Sequence, residues 1–207
     1  MRDFLQIAVT GGVACGKSSV ARRLLEGLPG GTASYISCDE EVRALLEMPE
    51  IQRDIDELGR VHGRELLREG SLDRKELREL LFENSVFRGK VEAILHPLVL
   101  DRVNARSETW SDLVRISIVE VPLLYEVEFP LDRDIDLVVA SSRATQKKRL
   151  TFDRNLEEGV AEKIIGAQIP IEEKIQRANI VVWNDGAIET LFAQTDHLVS
   201  RCDRMFN

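Results

Sequence analysis

Two hydrophobic rhythms alternate along the chain. Leu5-Gln-Ile-Ala-Val-Thr10 is a nearly continuous apolar run, as a strand buried on both faces requires. It is followed by Val20, Leu24, Leu25 and Leu28 at helical spacing. Further strands are predicted at Ala33–Ser37, Leu113–Val121, Ile135–Ala140 and Ile180–Trp183, and a last amphipathic helix carries Leu191, Phe192, Thr195 and Leu198. Strand–helix units in series imply an α/β core with a doubly wound sheet.

Two stretches break the alternation. Residues 50–108 are highly charged and read as helical throughout, with no strand runs. Asp73 is a candidate cap for a helix whose apolar face holds Leu77, Leu80, Leu81 and Phe82. A second helix is predicted from about Val86 to Arg106, with a kink or break near His96-Pro97, because proline removes a backbone donor. Residues 144–167 read as a helix pair ending at Gln168-Ile169-Pro170. The expected organisation is therefore core segments 1–49, 109–142 and 171–207, a helical lobe over 50–108 that holds a second substrate, and a lid over 143–170.

Between the first strand and helix stand Gly11-Gly-Val-Ala-Cys-Gly-Lys-Ser18, a phosphate-loop pattern in the context it requires. A triphosphate is held by backbone N–H groups lining one concavity, where a Cβ would block approach. The helix start near Lys17 adds its N–H groups and the positive end of its dipole. Lys17 is expected to reach the β- and γ-phosphates, and the Ser18 hydroxyl to ligate Mg²⁺.

Candidate chemistry elsewhere gathers at strand ends. Asp39 follows the second strand, where a carboxylate would face the loop, although Asp is also a favoured helix cap. Glu120 ends the third strand on the same side as Ile116 and Ile118; a carboxylate buried there demands a partner, and a metal-side role competes with a structural one. Asn184-Asp185-Gly186 follows the fifth strand, where adenine contact and plain turn chemistry are both open. Arg143, Lys147, Lys148, Arg149 and Arg154 stand against Asp153 alone, a basic segment suited to charge on the γ-phosphate. His96 reads either as a proton carrier or as a satisfied structural residue.

Composition narrows the setting. The 207 residues are 43% hydrophobic and 31% charged, enough for a core that needs no staples. A net charge of −8 argues against broad nucleic-acid or anionic-membrane binding. Cys15, Cys38 and Cys202 have no metal or redox spacing, which suits a reducing cytoplasm, and no signal or membrane-spanning stretch is expected.

With these pieces placed, the chain resembles the dephospho-CoA kinase family. The resemblance rests on Thr10–Ser18, Asp39, Gly70-Ser-Leu-Asp-Arg-Lys-Glu-Leu77, His96-Pro97, Val121-Pro-Leu-Leu-Tyr-Glu126, Gln146 with Arg149, Gln168 with Pro170, and Asn184 with Gly186. It implies a three-layer P-loop kinase fold with a five-stranded parallel sheet, a helical CoA-binding lobe and a helical lid. It implies transfer of the ATP γ-phosphoryl, with Mg²⁺, to the ribose 3′-hydroxyl of dephospho-CoA. Carried over, Gly11, Gly12, Val13, Ala14, Cys15, Gly16, Lys17, Ser18, Ser19, Arg149, Asn184 and Gly186 hold the nucleotide. Asp39 orients the attacking hydroxyl or takes its proton, and Asp39, Lys17 and Arg149 form the catalytic set. Arg74, His96, Pro122, Leu123 and Leu124 shape the acceptor site beside Asp39.

The chain departs from the family pattern in three respects. Ser37 stands where a first Asp is usual, Cys15 and Ser19 replace commoner loop residues, and Asp153 fills the slot of the second lid arginine. Arg149 and Arg154 both stay open as the γ-phosphate partner. The rival readings are another small-metabolite or nucleotide kinase on the same fold, and a non-catalytic guanine-nucleotide switch. The switch lacks an Asn-Lys-x-Asp motif, and Asp56-Glu-Leu-Gly59 sits in a helical stretch with no strand before it.

Overall fold

The structure, a computed structural model, describes residues 4–108 and 113–206. The chain divides into two compact units. One runs to Ser37 and resumes after residue 108; the other is Cys38–Glu108. The second unit thus begins ahead of the composition change at residue 50. The expected start of a core segment at residue 109 lies outside the described residues.

The first unit contains β1 (Leu5–Gly11), α1 (Lys17–Gly27) and β2 (Ala33–Ser37); the second contains α2 (Cys38–Leu45), α3 (Pro49–Val61), β3 (Leu67–Arg68), β4 (Ser71–Leu72), α4 (Arg74–Glu83) and α5 (Ser85–Glu108). The first unit continues with β5 (Ile116–Glu120), β6 (Ile135–Ala140), α6 (Arg143–Lys148), a π-helical turn (Arg149–Asp153), α7 (Glu158–Gly166), α8 (Ile171–Arg177), β7 (Ile180–Trp183) and α9 (Ile188–Phe206).

The five-stranded sheet has the order β2-β5-β1-β6-β7, and every pair is parallel. Alternation along the strands sorts the faces. Ile7, Val9, Ile116, Ile118, Leu137 and Val139 pack with Val20, Leu24, Leu191 and Leu198 of α1 and α9. Ala8, Val119, Val138 and Ala140, on the alternate positions, are also fully buried. Strands covered on both faces explain the unbroken apolar runs. At the β7 edge, Gln194 stands in for a neighbouring strand. Its amide accepts from Trp183 N–H (3.1 Å) and donates to Trp183 C=O (2.9 Å), which blunts edge pairing.

The helical unit differs from expectation in two places. Residues 67–72 form a short antiparallel hairpin instead of helix. Glu69 (φ 51°) and Gly70 (φ 82°) take left-handed conformations at its turn, a feature that no strand periodicity announces over so few residues. Helix α5 also continues unbroken through Pro97. Its buried stripe is Phe87, Val91, Leu95, Val99 and Val103, while Pro97 and Ala93 lie on the exposed face, so the carbonyl that loses its donor faces water. The Asp73 cap is as read: its carboxylate accepts from Lys75 N–H and Glu76 N–H, both at 3.0 Å.

Asp56 ties the hairpin to α3. One carboxylate oxygen accepts from Leu66 N–H (2.7 Å) and Leu67 N–H (2.9 Å), the other from Arg60 Nε (2.8 Å). Burial pushes this carboxyl up, but the two N–H groups and Arg60 outweigh it and hold it below the usual carboxylate range. Such a group adds stability above its unfolded value and gives it up as pH falls through the folded one. Asp56→Ala is expected to cost about 3 kcal/mol in chemical denaturation, since it orphans buried N–H groups. The wild-type Tm is expected to fall as pH drops below about 4, and the variant's Tm to fall less steeply.

Candidate active site

The turn between β1 and α1 is shaped by close approach. A Cβ on Gly11 (φ 142°) would stand 2.0 Å from the Val139 carbonyl oxygen, and one on Gly16 (φ 93°) 2.5 Å from Nδ2 of Asn184. Between them Ala14 adopts φ 57°, a left-handed conformation costly for any residue with a side chain. Helix α1 then starts at Lys17 with no side-chain cap over its first N–H groups.

The carbonyls of this loop are accounted for one by one. Gly11 C=O accepts from Lys174 Nζ (3.3 Å) and Gly12 C=O from Lys17 Nζ (3.0 Å). Val13 C=O accepts from Gln146 Nε2 (2.9 Å), Ala14 C=O from an Arg149 guanidinium nitrogen (3.0 Å), and Cys15 C=O from Asn184 Nδ2 (2.8 Å). Each carbonyl from Gly11 to Cys15 therefore meets a side-chain donor. That neutralises the negative ends of the peptide dipoles where a phosphate must come close.

The donors are themselves fixed. Lys174 is fully buried and pairs with Glu126 at 2.6 Å; Glu126 also accepts from Ile169 N–H at 3.2 Å. Arg149 donates to the Asn184 carbonyl (2.8 Å), to its side-chain oxygen (3.2 Å) and to Ser141 Oγ (3.2 Å). Asp185 accepts from Ser142 N–H (2.8 Å), which pins the start of α6. Burial pushes the Asp185 carboxyl up, but the Ser142, Thr145 and Trp183 donors hold it below its ordinary value. After Arg149 the helix widens, and Arg154 N–H bonds to Arg149 C=O (3.2 Å) in a π turn. Arg154 is exposed.

On the α1 side, Ser18 Oγ donates to one oxygen of Glu120 (2.8 Å), and Tyr35 donates to the other (2.7 Å). Glu120 is 5% exposed, so the partner that its burial demands is present twice.

The first unit thus gathers the loop, Glu120, Gln146, Arg149, Gln168, Lys174 and Asn184. Of the other sequence candidates, Ser18, Ser19 and Gly186 are exposed; Pro122 and Leu123 follow β5 at least partly open, and Leu124 is buried. Asp39, Arg74 and His96 belong to the helical unit. Asp39 lies in the first turn of α2, inside the helix rather than at its cap, and is exposed. Arg74 opens α4 and pairs with Glu47; His96 lies in α5. Lys174 and Tyr35 were not singled out in the sequence. The available signal for Lys174 was a lysine sharing the buried face of α8 with Ile171, which calls for an acid.

Comparison with known proteins follows the same outline. The family profile described as dephospho-CoA kinase matches residues 5–190. A dephospho-CoA kinase of Fusobacterium nucleatum is 33% identical over 194 residues, covering 94% of this chain and 96% of the relative. One from Anaeromyxobacter dehalogenans is 36% identical over 201 residues, covering 94% and 90%. The chain belongs to the dephospho-CoA kinase family. A crystal structure from Thermus thermophilus superposes with a TM-score of 0.80 at 25% identity, covering 97% of this chain and 98% of that one. Membership makes the protein a kinase acting on a small molecule with a nucleotide as the second substrate. No described helix is long and apolar enough to cross a membrane.

The bonding of Arg149 carries a prediction for this dephospho-CoA kinase family member. Arg149→Lys keeps the charge but cannot span Ala14, Ser141 and Asn184 together. It is expected to lower Tm by several degrees and weaken nucleoside diphosphate binding about tenfold, of the order of one charged hydrogen bond. Thermal melts and a titration with ADP check both; unchanged affinity contradicts a loop-holding role.

Proposed function

We propose that the protein transfers the γ-phosphoryl of ATP, with Mg²⁺, to the ribose 3′-hydroxyl of dephospho-CoA in the cytoplasm, giving coenzyme A and ADP. The observation that carries this reading is the match of one family over residues 5–190, which takes in the phosphate loop and the helical unit together. Three free cysteines suit a reducing compartment.

The donor set supports the chemistry. Ser18 Oγ and the Glu120 carboxylate are hard oxygen groups side by side, which is what Mg²⁺ prefers. Ser18 would hold the ion directly and Glu120 would orient Ser18. Mg²⁺ held there would supply positive charge that offsets the charge of the phosphates. Lys17 leaves the Gly12 carbonyl for the β- and γ-phosphates. Arg149 keeps the loop in shape beneath the nucleotide, with Asn184 and Gly186 on the adenine side. Arg154, the exposed arginine beyond the π turn, meets charge spreading onto the γ-phosphate. Asp39 aligns the 3′-hydroxyl for in-line attack and takes its proton as the oxygen–phosphorus bond forms and the bond to the leaving ADP oxygen breaks. Arg74, His96 and the Pro122–Leu124 turn bind the acceptor.

The direct test is incubation with Mg²⁺, ATP and dephospho-CoA, followed by mass detection of coenzyme A. ADP release with another acceptor and none with dephospho-CoA would transfer the proposal to a different small-metabolite kinase. Asp39→Asn is expected to lower kcat by about 10²-fold or more while ATP still binds, the usual contribution of a general base. Lys17→Ala is expected to lose more. Near-normal turnover of Asp39→Asn removes the base from the mechanism.

A further inference from the structure

Two glutamines grip one residue of the phosphate loop from the two ends of the lid segment. Gln146 lies in α6, where that segment begins, and is 4% exposed. Gln168 follows α7, where it ends. Nε2 of Gln146 donates to the Val13 carbonyl at 2.9 Å, and Oε1 of Gln168 accepts from Val13 N–H at 2.7 Å. The polarity of a peptide group decides which end of each amide faces it, so one glutamine must donate and the other must accept.

Side chains reinforce the grip. Between the two glutamines, Leu150, Ala161 and Ile165 form a small buried cluster, and Val13 and Ala14 pack against it. The loop tip is therefore part of the lid segment's own core. Both glutamines also line a cavity of about 230 Å³ beside Gly12. A Cβ on Gly12 would come within 2.2 Å of Gln146 Nε2, which ties the bare position to the clamp.

We infer that Gln146 and Gln168 are positioning residues that lock the lid segment onto Val13, so that the arginine beyond the π turn meets the transferring phosphoryl in one geometry. Neither touches the reacting atoms. A buried peptide needs some partner in any fold. Here both partners of one residue come from opposite ends of one segment, so losing either removes the direct hold of one end on Val13. A misplacement of about 1 Å at a reacting centre costs on the order of 10²-fold in rate. The inference rests on the kinase reading above.

The test uses paired substitutions in the full chain. Gln146→Met and Gln168→Met keep the shape and lose the hydrogen bond. Each is expected to lower kcat by about 10²-fold with the KM for ATP changed less than about threefold, the signature of an interaction felt mainly in the transition state. An ionised carboxylate accepts but cannot donate. Gln168→Glu therefore keeps its bond to Val13 N–H and recovers most of the loss, whereas Gln146→Glu sets a carboxylate against a carbonyl and loses more than Gln146→Met. Both add the same charge, so opposite responses report the hydrogen bond. In the ligand-free protein, amide exchange at Val13 is expected to speed up in Gln168→Met and not in Gln168→Glu. Equal responses of the two Glu variants, or variants with lowered Tm and unchanged kcat, overturn the inference. A wild-type protein that makes no coenzyme A overturns the activity reading instead, and the exchange measurement still reads the clamp.

Discussion

A cradle for phosphate is made of N–H groups, and each N–H belongs to a peptide whose carbonyl carries the opposite charge. That constraint orders the rest of the first unit. Within the turn Gly12 C=O accepts from Cys15 N–H (3.3 Å), and carbonyls from Gly11 to Cys15 left bare toward a phosphate would repel it. Each instead meets a side chain sent from elsewhere: Lys174 on α8, Lys17 on α1, Gln146 on α6, Arg149 at the π turn and Asn184 after β7. Sheet order serves the same end. The loop leaves the central strand β1, with β6 beside it and β7 next, so the segments after β6 and β7 arrive beside the loop they must hold.

The same constraint explains the buried cations. Enclosing an ammonium group is costly unless charge and hydrogen bonds compensate it. Lys174 meets that condition through Glu126, and the Glu126 oxygen that pairs with it also takes the Ile169 N–H. One carboxylate thus joins the segment after β5 to the exit of the lid segment, through a lysine that holds Gly11. Glu120 is the mirror case on the opposite side of the loop. Two hydroxyls, from Ser18 and Tyr35, satisfy its oxygens beside the first turn of α1. Local charge of both signs, and not the overall excess of acid, describes this region.

What could be read in advance was whatever depends on short-range pattern. Strand periodicity located all five parallel strands, the glycine spacing located the loop, and the chemistry of Asp73 located a cap. Burial logic also carried as far as Glu120 and its need for a partner. The rest depends on tertiary company. The hairpin at 67–72 is too short for a period-two signal and is held by Asp56, whose part as a receptor for Leu66 and Leu67 N–H is invisible along α3. A kink or break was expected at Pro97, and α5 does not break there: the position faces water, which depends on the rotation of α5 and not on the proline. Arg149 was read as an arginine on the nucleotide side; its bonds to Ala14 and Asn184 C=O could not be read in advance, because main-chain oxygens have no sequence signature.

Spacing left Arg149 and Arg154 both open, and the π turn sets them in different surroundings. An α-helix returns to the same face after three or four residues, so Asp153 falls where an arginine four places after Arg149 would stand. Widening the turn to an i→i+5 bond accommodates one extra residue, and Arg154 N–H then takes the Arg149 carbonyl. Arg154 closes the widened turn, one residue after Asp153. The two arginines differ in what surrounds them. Arg149 is consumed by Ala14, Ser141 and Asn184, and Arg154 is left exposed. A straight α-helix through the same residues would give the Arg149 carbonyl to Asp153 N–H and set an acid one turn beyond the arginine that holds the loop. The widened turn is thus the local distortion that gives this bond to Arg154 instead.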